Sequence, residues 1–144
     1  VETVRYALEH AGEVVWWVAP SYQQADDYGF GRMREMLPGA LVRGEPKLTN
    51  PKEIELVNDT VISFKSAEKP KNLKGAGVDY MVVDEAASIP GDIWYEYLRP
   101  TLTDTLGEAV RLIRAFLDRD DRPPVLYSED NARTLLRLAL KTAD

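Results

Sequence analysis

The sequence predicts an α/β domain with a mostly parallel central sheet and flanking helices, followed by a helical C-terminal tail. Three observations carry this. The runs VVWWVA (Val14 to Ala19) and VDYMVV (Val78 to Val83) are nearly unbroken stretches of apolar, β-branched and aromatic residues, the pattern of strands buried on both faces. Helical spacing surrounds and separates them, an order that favours parallel pairing. From Thr105 the composition changes: eight leucines follow, as many as in the first 104 residues, and the charge of that part is balanced. The chain therefore divides at about residue 104 into a domain, 1–104, which carries the whole net charge of −6, and a tail, 105–144.

The elements follow in order. Val4, Ala7, Leu8 and Ala11 have helical spacing, and Gly12 suits the position just past a helix end. Pro20 ends the first strand. Ser21 and Gln24 have the capping-box spacing, which predicts a helix from there to about Met36, stopped by Leu37-Pro38-Gly39. Ile54, Leu56 and Val57, then Val61, Ile62 and Phe64, flank Asn58-Asp59-Thr60 and read as a hairpin. After the strand ending at Val83, Ala86-Ala87 begins a loop or short helical turn. Asp92 is expected to cap a short helix with Trp94, Tyr95 and Leu98, interrupted by Pro100. In the tail, Leu106, Ala109, Val110, Ile113, Phe116 and Leu117 share one helical face, and Thr105 with Glu108 has capping-box spacing. Asp118 to Pro124 reads as a linker, and Ser128 as the cap of a second helix.

Composition narrows the chemistry. The 144 residues can bury one core, and 44% hydrophobic with 29% charged residues is ordinary for a globular domain. Without cysteine there is neither a disulfide nor a thiolate metal site, and the single histidine, His10, excludes multi-histidine metal centres. No apolar run approaches the roughly 20 residues that span a membrane. The N-terminus does not have a signal-peptide pattern, so the expectation is a soluble, cytosolic chain with no membrane partner. Six of the seven lysines lie between Lys47 and Lys74, and Lys65 to Lys74 holds four of them against one acid, Glu68. That local positive loop could meet phosphates, although a solvated loop has the same composition.

The candidate chemistry lies in YMVVDEAA, Tyr80 to Ala87. A buried strand that ends in two adjacent acids can present two tools at one sheet edge. Asp84 is placed to bind Mg²⁺ beside nucleotide phosphates, and Glu85 to act as general base on an attacking water. The same pair also suits a polar strand end or a helix cap. In parallel sheets ligands bind beyond the carboxyl ends of strands. If the two long strands are parallel neighbours, Pro20-Ser21-Tyr22 and Asp84-Glu85 line one crevice.

The wider segment NLKGAGVDYMVVDEAA, Asn72 to Ala87, resembles the Walker B region of large terminase subunits of tailed phages, in which an L-[RK]-G loop precedes a strand ending in DEAA. VVWWVAPSYQQA, Val14 to Ala25, resembles that family's strand and helix after the P-loop, and WYEYLRPTLTD, Trp94 to Asp104, its segment after Walker B. Together these cover about residues 1–104. The resemblance implies a P-loop ATPase fold, ATP and Mg²⁺ as ligands, and Glu85 as catalytic and Asp84 as metal-binding residue. It also implies a motor that drives double-stranded DNA into procapsids, as a homo-oligomeric ring acting with the portal and the small terminase subunit in the host cytoplasm. Lys71 and Lys74, flanking the L-[RK]-G loop, and Tyr22 and Gln23, after the first strand, are the candidate phosphate or DNA contacts.

Two departures bear on that reading. No G-x-x-x-x-G-K-[ST] occurs in the sequence, so the residues that cradle a triphosphate are missing. In the family they would lie just upstream of Val1, and ATP binding by this chain alone is expected to be poor. The family also has a further strand, ending in a Gly-Thr-Pro-like coupling motif, where this chain turns leucine-rich. Two other readings stay open: a helicase-like DNA translocase, whose usual Asp-Glu-x-His box is not matched because position 87 is alanine, and a non-catalytic module that keeps the fold.

Overall fold

A computed structural model describes residues 2–74, 77–103 and 108–111. Five strands form one sheet: β1 (Val14–Ala19), β2 (Lys52–Glu55), β3 (Val61–Ser66), β4 (Tyr80–Val83) and β5 (Glu108–Arg111). Their order is β2-β3-β1-β4-β5. β3, β1, β4 and β5 run parallel, and β2 is the antiparallel edge contributed by the predicted hairpin. The two long apolar runs, β1 and β4, are neighbours, with Val15 opposite Tyr80 and Val18 opposite Val83. Their entry is tied by Asp79, which accepts from the Val14 N–H at 2.8 Å through Oδ2 and donates its own N–H to the Val14 carbonyl.

Strand alternation sends side chains to two cores. Val15, Trp17 and Ala19 join Ile62, Phe64, Tyr80 and Val82 on one face. Over that face lie α1 (Glu2–Glu9) and α2 (residues 22–36), the latter contributing Ala25, Phe30 and Met33, with Leu37 just past its end. Trp16, Val18, Met81 and Val83 point the other way, against Ile93, Trp94, Leu98 and Leu102 of α3 (residues 91–103). Helices leaving the ends of β1 and β4 thus go to opposite faces, the arrangement that in open α/β sheets places ligands beyond those ends.

α2 begins as the capping box predicts: the Ser21 hydroxyl accepts from the Gln24 N–H at 3.2 Å. It widens to a π-helical stretch over Ala25–Gly31 before resuming α geometry at Arg32–Met36. That stretch sets Gly29 directly on the rings of Trp17 and Phe64.

α1 forms where the spacing places it, with Gly12 at φ 77° past its end. It buries Thr3 and Ala7 and packs Val4 and Tyr6 on the core, while Leu8 stands 39% exposed. The Tyr6 ring stacks between His10 and Tyr80 at centroid separations of 3.9 and 3.8 Å. Two expectations are corrected. First, Pro90 rather than Asp92 precedes α3, and Pro100 does not break it. The helix widens to π geometry over Trp94–Leu98, where the Arg99 N–H reaches the Trp94 carbonyl five residues back, and it continues through the proline to Thr103.

The second correction concerns the tail. Glu108–Arg111 is a strand, not the middle of a helix, and pairs in parallel with β4 from Tyr80 opposite Glu108 to Val83 opposite Arg111. Without it, the outer edge of a fully buried strand would leave a row of unpaired backbone groups. Sheet pairing therefore outweighs the local helical spacing of Ala109 and Val110. The rest of the predicted tail, including the linker and the helix after Ser128, lies outside the described residues.

Lys65 on β3 is half-buried, with its ammonium 4.7 Å from the Trp16 ring centre. Burial lowers its pKa from the ordinary 10.5, Glu53 opposes that, and Lys47 adds to it. The folded state therefore holds this proton less firmly than the unfolded chain does. The charged lysine costs stability at all pH values below its folded pKa, and the cost fades as pH rises from there past about 10.5. Lys65→Met should raise the melting temperature at pH 7, with the difference closing above pH ~10.5. A variant that melts lower at pH 7 would show that the Trp16 and Glu53 contacts outweigh the buried charge.

Candidate nucleotide site

The carboxyl edge of β1 and β4 brings the two acids and the start of α2 together. The Asp84 N–H continues the ladder onto the Val18 carbonyl at 2.8 Å, and the residue is only 8% exposed. Glu85 then leaves the strand in the left-handed conformation, with φ 47° and ψ 44°, which non-glycine residues seldom adopt. The reversal is closed by the Ser88 N–H on the Glu85 carbonyl at 2.8 Å, and a 3₁₀ turn follows over Ala86–Ser88. A strand ending in this kink separates the two carboxylates from the plain alternation of the sheet. Backbone strain of this kind gathers at functional sites.

Glu85 meets α2 through a side-chain bond. The Gln24 Nε2 donates to its Oε2 at 2.8 Å. The Gln24 Oε1 in turn accepts from the Ser21 hydroxyl at 2.9 Å. Sequence reading found Gln24 only as a capping partner. Its spacing from Ser21 was visible, but its reach to a residue 61 positions later belongs to the pairing of β1 with β4.

The other candidates divide. Tyr22 sits in the first turn of α2, where its N–H donates to the Glu68 Oε2 at 2.9 Å and its hydroxyl accepts from the Asn72 Nδ2 at 3.2 Å. It thereby ties the start of α2 to the lysine loop. That loop is anchored to the sheet by the Ala67 N–H on the Ala19 carbonyl. Lys71 stands exposed on the 3₁₀ turn Pro70–Leu73, on the side of the sheet edge where Tyr22 lies. Lys74 is also exposed, with its ammonium 4.9 Å from the Tyr97 ring centre on α3. Gln23 faces solvent beside Tyr22.

Among the described residues, no group of three or more His, Asp and Glu is arranged to hold a metal by protein ligands alone. The donors present are carboxylate oxygens at a strand end. Those suit Mg²⁺, which takes one or two carboxylates and completes its shell with water and phosphate. Among the described residues, no helix is long and apolar enough to cross a membrane.

No protein-family model matches the chain. A curated protein of Thermus virus P23-45, named terminase, large subunit, is 32% identical over 128 residues, covering 76% of this chain and 26% of its own. One of the same name from Escherichia phage T5 is 33% identical over 95 residues, covering 65% and 22%. The chain thus spans about a quarter of the length of the curated relatives it matches. A solved structure, the large terminase ATPase domain of Thermus phage P74-26, superposes with a TM-score of 0.55 at 28% identity, covering 76% of this chain and 51% of that one.

Proposed function

Because this chain is a homologue of phage large terminase subunits and takes the fold of their ATPase domain, we propose that it is the acid-bearing part of an ATP-hydrolysing motor that packages double-stranded DNA. The observation that carries the reading is the pair Asp84 and Glu85 at the carboxyl edge of β4, with the second acid held by Gln24 across the β1–β4 boundary. Mg²⁺, when bound, would supply positive charge against the nucleotide phosphates. Asp84 would hold it, directly or through water. Glu85 would orient a water and take its proton as the water oxygen bonds to the γ-phosphorus and the bond to the β–γ bridging oxygen breaks, releasing ADP and phosphate. β1 and β4, paired in the middle of the sheet and buried, hold the backbone of both acids at the carboxyl edge.

The triphosphate needs more than these acids. The sequence has no G-x-x-x-x-G-K-[ST], so backbone N–H groups and a lysine for the phosphates would have to be supplied from outside these residues. By itself the chain is expected not to turn over ATP. The lysine loop, with Lys71 and Lys74, supplies positive charge near the same edge for phosphate or DNA. Tyr22 and Gln23 lie beside it. The remaining partners, the portal, the small terminase subunit and further copies in a ring, would act on the assembled motor.

The test is ATP hydrolysis by a polypeptide that joins a phosphate-binding loop to these residues, compared with the 144-residue chain alone. Turnover is expected only in the joined form. Asp84→Asn should weaken its Mg²⁺-dependent nucleotide binding and reduce turnover by about 100-fold or more. Parental turnover and Mg²⁺ dependence in Asp84→Asn would overturn the metal assignment.

A further inference from the structure

We propose that Gln24 is a positioning residue for Glu85, fixing the direction of its carboxylate at the β1–β4 edge; the inference rests on the reading of Glu85 as general base. In a capping box the glutamine side chain three residues in returns to the backbone N–H of the capping residue. Here it does not. Its Oε1 accepts from the Ser21 hydroxyl at 2.9 Å, and its Nε2 is turned to the Glu85 Oε2 at 2.8 Å. The hydroxyl also accepts the Gln24 N–H at 3.2 Å, so Ser21 caps the helix whether or not the amide reaches Glu85. The bond to Glu85 is therefore surplus to helix capping and has a different use.

That use follows from the backbone of Glu85. In the left-handed conformation its side chain is not aimed by strand alternation, and its three side-chain torsions leave the carboxylate free to swing. A general base must lie within about 2.6–3.2 Å of the proton it takes. One oxygen pinned by Gln24 leaves Oε1 as the atom that accepts it. The Glu85 carboxylate, which only accepts, takes the NH₂ end of the amide, and the Ser21 hydroxyl, which can donate or accept, then donates to the Gln24 Oε1 and holds the amide in that orientation.

Two measurements test this. In the 144-residue chain, the Gln24 side-chain NH₂ resonances, identified by their loss in Gln24→Met, should shift and exchange faster in Glu85→Ala. Unchanged resonances would overturn the contact. In the polypeptide joined to a phosphate-binding loop, Gln24→Met should lower kcat by about 10- to 100-fold while KM for ATP changes by less than about twofold and the melting temperature holds. Gln24→Glu keeps length and helix propensity, so a purely structural role tolerates it, whereas the positioning role requires it to be at least as damaging as Gln24→Met. In a Glu85→Gln background, Gln24→Met should have no further effect. Parental kcat in Gln24→Met, with Glu85→Gln inactive, overturns the proposal and leaves the base reading standing. Parental activity in Glu85→Gln overturns the base reading and the role of Gln24 with it, while the resonance shift would still report the contact.

Discussion

Glu85→Gln, in a polypeptide that also carries a phosphate-binding loop, should bind ATP as the parent does and hydrolyse it about 10²- to 10⁴-fold more slowly. The substituted side chain has the same length and still offers an oxygen to the Gln24 Nε2, 2.8 Å from the parent carboxylate. What it loses is the ability to take a proton from water. On the proposed assignment binding should survive, because Asp84 and not Glu85 would hold the metal, and the phosphates would be held by the added loop. Single-turnover hydrolysis measured beside equilibrium nucleotide binding separates the two effects. Hydrolysis at the parental rate would end the assignment of Glu85 as base. Loss of binding in step with loss of turnover would recast it as a nucleotide ligand.

Gly29→Ala should destabilise the fold by about 2 kcal/mol or more, although the same change in an exposed helix stabilises by about 1. A methyl group there would stand 2.5 and 2.7 Å from two ring carbons of Trp17 and 2.9 Å from one of Phe64. Neither ring has room to retreat, since both are buried in the core that α2 covers, and interiors of this density relax only in part. Thermal melting should fall by about 6 °C for that cost in a chain of this size. Trp17→Leu removes the opposing ring, so the double variant should lose less than the sum of the two singles. A Gly29→Ala variant as stable as the parent would mean that α2 can lift from the sheet. The start of α2 carries Ser21 and Gln24, so such a shift would also loosen the hold on Glu85.

Much of this arrangement was legible in the residues. Unbroken apolar runs identified β1 and β4 as doubly buried strands, because such runs have no face to give to water. Asn58-Asp59-Thr60 between two alternating segments specified the hairpin of β2 and β3, and Asp59 takes the positive φ, 70°, that such a turn needs. Ser21 capped the helix as its spacing required. Local rules failed where a partner decided the outcome. Glu108–Arg111 has helical spacing but lies beside the open edge of β4, and pairing there satisfies a row of backbone groups that a helix would leave bare. Pro100 breaks a helix by local rules, but α3 is pressed into its core by Trp94, Leu98 and Leu102 and accommodates the proline with a wide turn.

The site divides the same way. Sequence by itself determined the residue types: two carboxylates at the end of a buried strand, a lysine loop before it, a capped helix after the other long apolar run, and no phosphate-binding motif within the chain. Residue types and their spacing are local, and so is the information they carry. Only the tertiary structure decided that β1 and β4 are adjacent, that Glu85 turns left-handed, and that Gln24 gives its amide to it. Those relations join residues 61 positions apart, and their direction is set by strand register and by which face each helix covers, neither of which is encoded in any short stretch of the chain.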